Sequence, residues 1–149
     1  MHNNEILRRV VDALTLTDES LAEIFALGGE EMTGADALAR TREIDTEGAV
    51  DCTSEELGRF LDGLIISKRG PRDTDAPPVA PVQLTNNAIF KKLRIALTLK
   101  EDDVLRILEA GGSATTRQSL SPLFRKPDNK HFRPCSDAVL RSFLDGISG

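Results

Sequence analysis

The 149-residue chain contains no tryptophan, no tyrosine and only six phenylalanines. Strands draw on aromatic and β-branched side chains, so the shortage argues against a sheet protein. Leu, Ala, Glu and Arg are plentiful instead, and these favour helix. No apolar run approaches the roughly 18–20 residues that a membrane span needs; the densest patch is Leu64, Ile65 and Ile66. Two cysteines are too few for a disulfide framework, and the opening Met-His-Asn-Asn-Glu is not a signal peptide. These absences describe a reduced, soluble, cytoplasmic protein with no membrane association. With 40% hydrophobic and 29% charged residues, the composition is that of a globular chain.

What the chain does have is a repeat. Asn3 and Asn4 recur as Asn86 and Asn87, and an offset of 83 aligns the two halves without a gap. Under that offset Gly28 and Gly29 meet Gly111 and Gly112, and Cys52 meets Cys135. Phe60-Leu61-Asp62-Gly63 meets Phe143-Leu144-Asp145-Gly146. One structural unit has been duplicated. Each copy is only 64 residues long, and a unit near 60 residues buries only about 60% of its unfolded surface. The copies are therefore expected to pack together, or the chain to form a homodimer.

Each copy reads as four helices. Ile6, Leu7, Val10, Val11 and Leu14 form the apolar stripe of the first, and Ile89, Phe90, Leu93, Ala96 and Leu97 repeat it. Asparagines at 3 or 4, and at 86 or 87, are suited to cap its N-terminus. The second helix starts near Asp18 with Leu21, Ile24 and Phe25, copied as Val104, Ile107 and Leu108; Gly28 and Gly111 supply left-handed stops. A third opens at Thr33, with Asp36 in capping-box relation, and extends to about Ile44. The fourth opens at Thr53 and buries Leu57, Phe60, Leu61 and Leu64, matched by Leu140, Phe143, Leu144 and Ile147. The expected core pairs are Ile6, Leu14, Ile24, Phe60 and Leu61 with Ile89, Leu97, Ile107, Phe143 and Leu144. The fold class is all-α: two tandem four-helix repeats packed with pseudo-two-fold symmetry. The domains are repeat 1 (1–69), a proline-rich linker (70–85) holding four of the seven prolines, and repeat 2 (86–149).

The copies differ at the third helix. Repeat 2 has Leu120, Leu123, Phe124 and Phe132, where repeat 1 has Ala37, Arg40, Thr41 and Ala49. Either Leu38 and Ile44 repack that site, or it stays loose and leaves a groove.

Several motifs carry a resemblance. Asn-Asn-x-Ile-Leu-Arg-Arg near the start and Asn-Asn-x-Ile-Phe-Lys-Lys-Leu-Arg-Ile-Ala after the linker are two of them. Phe-Leu-Asp-Gly-Leu-Ile-x-x-Lys-Arg-Gly and Pro-Asp-Asn-Lys-His-Phe-Arg-Pro-Cys-Ser-Asp are two more. Together they resemble the YehS-like family, small bacterial proteins with two copies of a domain of unknown function. The resemblance spans nearly the whole chain and implies a bacterial cytosolic helical protein, with no catalytic or ligand-binding residues to carry over. Arg40, Thr41 and Ala49 depart from the bulky apolar residues the family usually shows in repeat 1.

No catalytic constellation, cofactor motif or metal-ligand pattern is recognisable. Cys52 and Cys135 precede the fourth helix, where amides and the helix dipole can lower a thiol pKa, but duplication favours a packing role. Charge is the one surface signal. Residues 1–70 carry 7 basic and 15 acidic groups, whereas residues 86–149 carry 11 and 7. The cations cluster as Lys91, Lys92, Arg94 and as Arg125, Lys126, Lys130, His131, Arg133, a candidate anion or nucleic-acid contact. The leading expectation is a non-catalytic protein-binding or adaptor module. The alternative is a nucleic-acid-associated regulator that uses the basic second repeat.

Overall fold

The structure, a computed structural model, describes residues 1–70, 84–126 and 128–148. Most of the expected proline-rich linker, residues 71–83, lies outside the described residues. All regular structure within the described residues is helical. In order these are α1 (Asn3–Leu14), α2 (Asp18–Leu27), α3 (Gly34–Ala39), α4 (Ser54–Arg69), α5 (Asn86–Ala96), α6 (Glu101–Ala110), α7 (Arg117–Leu120) and α8 (Asp137–Ser148). A single 3-10 turn, Ser121–Phe124, follows α7. The chain divides into unit 1, Met1–Leu84, and unit 2, Thr85–Gly149.

In unit 1, α2 packs against α3 and α4, and α1 lies on α4. The core holds Ile6, Leu7 and Val10 from α1, Leu21, Ile24 and Phe25 from α2, and Leu57, Phe60, Leu61 and Leu64 from α4. The Phe25 and Phe60 rings meet at 5.4 Å in a tilted arrangement. Glycine permits the approach of α2 to α4. A Cβ on Gly63 would overlap the Ile24 carbonyl oxygen, and one on Gly28 would overlap that of Arg59. Unit 2 repeats the device, with Gly146 against the Ile107 carbonyl and Gly111 against that of Ser142. Both pairs of glycines are thus held by backbone contact.

The helix ends follow from local chemistry, with some corrections to the sequence reading. The asparagine doublets are not N-caps. His2 caps α1 by accepting from the Asn4 amide, and Thr85 caps α5 by accepting from Ala88. The asparagine side chains are engaged elsewhere. The left-handed stop of α2 is Gly29, at φ +96°, rather than Gly28, and that of α6 is Gly112. This one-residue shift lets the Glu30 amide reach the Phe25 carbonyl at 2.9 Å and Ser113 reach Leu108 at 2.8 Å, closing the last turn. Thr33 caps α3, and Thr53 with Glu56 forms a complete capping box on α4.

The helix α3 ends at Ala39, well short of Ile44, because Thr41 turns its hydroxyl onto the Leu38 carbonyl at 2.6 Å. Four side chains expected in the core, Leu14, Leu97, Ile107 and Ile147, are only half-buried. Leu14 and Leu97 stand where α1 and α5 finish, so no following turn of their own helix covers them.

Candidate functional site

The duplicated asparagines tie down a loop in each unit. In unit 1 the Asn4 side-chain amide donates to the Arg42 and Val50 carbonyls, both at 2.9 Å, and its Oδ1 accepts from the Cys52 amide at 2.7 Å. One buried carboxamide therefore holds both ends of the 42–50 loop. Asn3 adds a bond to the Cys52 carbonyl at 3.0 Å. Unit 2 has a corresponding clamp whose first anchor lies two residues earlier in the repeat. Asn87 donates to Leu123 at 2.9 Å and Arg133 at 2.8 Å and accepts from Cys135 at 2.8 Å, while Asn86 reaches the Cys135 carbonyl at 3.1 Å. A carboxamide so fully used, buried at Asn4 and half-buried at Asn87, orders loop backbone that is largely without secondary structure.

The loops on these clamps differ in character. The unit 1 loop carries Arg42 against Glu43, Asp45 and Glu47, all exposed, together with Ile44 and Val50. Leu27, Leu38, Ile44 and Val50 are exposed large apolar side chains, at 39–47% of full exposure, and all belong to unit 1. Under the offset of 83, unit 2 has Ala110, Ser121, Pro127 and Arg133 there. Neither Leu38 nor Ile44 repacks the eroded third helix. Instead Arg40 pairs with Glu56 at 2.9 Å, both side chains largely buried, and also donates to the Asp36 carbonyl at 2.8 Å.

In unit 2 the clamped loop is basic. Arg125, Lys126, Lys130, His131 and Arg133 are all exposed on it, with Asp128 the one acid among the described loop residues. Arg125 and His131 also line an open depression of about 480 Å³, together with Arg117, Gln118, Ser121 and Glu101. Lys126, Lys130 and Arg133 share the loop but do not line the depression. Lys91, Lys92 and Arg94 lie on α5 and do not join it either. Arg94 has a packing role: its guanidinium sits 4.7 Å over the Phe124 ring, and its Nε donates to the Leu99 carbonyl at 3.1 Å. Sequence clustering missed Arg117, Gln118 and Ser121 on α7 and the 3-10 turn, and Glu101 at the start of α6, which the α6–α7 connection brings to them.

The cysteines are positioned for packing. Cys52 and Cys135 are buried, and their amides close the two clamps. Burial, reinforced by Glu56, pushes the Cys52 thiol up to about 12. Burial, with Asp137 adding to it, pushes Cys135 up to about 11. Both are thiols rather than thiolates at neutral pH, which is the opposite of an activated nucleophile. Among the described residues no group of three or more His, Cys, Asp or Glu side chains converges to hold a metal ion. No described helix is long and apolar enough to cross a membrane.

Comparison with known proteins agrees with the duplication. A family described as a protein of unknown function (DUF1456) matches the chain twice, over residues 3–70 and 86–148. The uncharacterized protein YehS of Escherichia coli (strain K12) is 40% identical over 149 residues, covering 99% of this chain and 95% of its own. No solved structure matches.

Proposed function

The chain belongs to the YehS-like, DUF1456 family, and on that premise we propose that it is a non-catalytic module that binds a protein partner through unit 1. The supporting observation is the set of exposed apolar side chains, Leu27, Leu38, Ile44 and Val50, confined to one of two duplicated units. Scattered exposed apolar residues are ordinary, but Ile44 and Val50 sit on a loop held at both ends by Asn4. A held loop loses little conformational entropy on binding.

The test is a pull-down from the native host with the intact chain, with and without nuclease, against an Ile44→Glu/Val50→Glu variant. A partner retained after nuclease and lost from the variant is the expected result. Identical capture by the two proteins would remove this reading. A second reading, nucleic-acid contact, is favoured by the exposed Arg125, Lys126, Lys130, His131 and Arg133 on the basic loop. It predicts nuclease-sensitive, salt-dependent binding that weakens in Lys126→Glu/Lys130→Glu.

The proposed boundaries are 1–69, 70–85 and 86–149, checked by limited proteolysis directed at the proline-rich stretch. The proposed pseudo-two-fold packing of the repeats and cytoplasmic location would be checked by small-angle scattering and cell fractionation.

A further inference from the structure

The depression on unit 2 brings together two guanidinium groups and an imidazole from three segments. Arg117 opens α7, Arg125 follows the 3-10 turn, and His131 stands in the clamped loop. Gln118 and Ser121 add neutral donors, and Glu101, the first residue of α6, adds a single carboxylate. The equivalent places in unit 1 hold Gly34, Arg42, Gly48, Ala35, Leu38 and Asp18. The clamp asparagines and the close-approach glycines are identical in the two copies, while the lining of the depression has diverged.

The donor set describes its ligand. Asp102 pairs with one amino group of Arg117 and so orients a guanidinium that still has other N–H groups to offer. No ion pair with a described residue neutralises Arg125. Guanidinium forks match phosphate oxygens two at a time. Glu101 repels a bare anion but accepts a hydrogen bond from a hydroxyl or amine. The depression is open to solvent and Pro122 adds an apolar wall, so a ligand is held from one side by the charged groups. A bulk polyanion track would have no use for a carboxylate in its wall.

We infer that the unit 2 depression binds a small phosphate monoester whose body carries a hydroxyl or amine donor. The cations hold the phosphate, and Glu101 reads the donor. This site is independent of the protein-binding face proposed on unit 1.

Titration calorimetry on the full chain, with inorganic phosphate, ribose 5-phosphate and dimethyl phosphate, tests the inference. Ribose 5-phosphate should bind at least about tenfold more tightly than dimethyl phosphate. Arg125→Ala should weaken ribose 5-phosphate by about tenfold or more, and Lys91→Ala, outside the depression, should leave it unchanged. Glu101→Gln should separate the probes, weakening ribose 5-phosphate while strengthening inorganic phosphate. A purely structural role for Glu101 would move both in the same direction. Absence of saturable ribose 5-phosphate binding up to about 10 mM would overturn the inference. Equal affinity for the diester, or equal loss in Lys91→Ala, would overturn it as well.

Discussion

Unit 1 and unit 2 solve one packing problem with their bulk in different places. In unit 1 α1 contributes Leu7 and α2 contributes Phe25; in unit 2 α5 contributes Phe90 and α6 contributes Leu108. The ring has moved from one helix to its neighbour, while the third partner, Phe60 or Phe143, stays. Unit 2 then extends its aromatic contacts. Phe143 meets Phe90 at 4.5 Å, Phe90 meets Phe124 edge-on at 4.9 Å, and Arg94 covers Phe124. In unit 1 the place of Phe124 is held by Thr41, and the places of Leu123 and Val139 by the paired Arg40 and Glu56.

Apolar volume can be redistributed between helices because burial is non-directional. Among the positions that did not change are some where geometry leaves one solution: the clamp asparagines, the close-approach glycines and the left-handed pair Gly29 and Gly112.

The comparison can be broken most severely at the shared ring. Phe60→Ala and Phe143→Ala should each cost about 3–5 kcal/mol in urea unfolding, the range for a buried phenylalanine. A loss confined to one of the two would mean that the units do not depend on their common ring alike.

The clamps come next. Asn4→Ala leaves the Cys52 amide and two carbonyls without partners, so a loss of about 2–4 kcal/mol is expected. Asn87 is only half-buried, water can replace it, and Asn87→Ala should cost about half as much. Equal losses would show that the exposure of the clamp does not set its worth.

The mildest test transplants the ring. Leu7→Phe alone overpacks a filled site and should cost about 1–3 kcal/mol, whereas Leu7→Phe/Phe25→Leu conserves volume and should cost under about 1.5 kcal/mol. Strict additivity of the two single changes would refute the exchange.

Much of the helical content was legible because periodicity and caps are local signals. The stripe Ile6, Leu7, Val10 predicted α1, and Thr53 with Glu56 predicted the start of α4. The errors came from residues whose partners lie far along the chain. Asn4 looks like a cap because caps are the common use of asparagine before an apolar stripe, yet its partners are 38–48 residues away. Gly28 looks like a left-handed stop because nothing in the sequence announces that Arg59 will pass against it. The basic loop was visible as a charge cluster, whereas the depression was not. Glu101 joins Arg117 and Arg125 only after the chain turns between α6 and α7.

The asparagine clamp has a consequence for how such a protein can change. Both ends of the loop are fixed by hydrogen bonds to its backbone, and backbone carbonyls are indifferent to the side chains between them. Substitutions at residues 43–47, or 128–131, therefore do not remove an anchoring group, whereas Gly48, at φ +82°, is held by its own backbone conformation. In each unit the ordering of the loop is supported by a residue outside it. The loop sequence can then diversify without first renegotiating the stability of the fold.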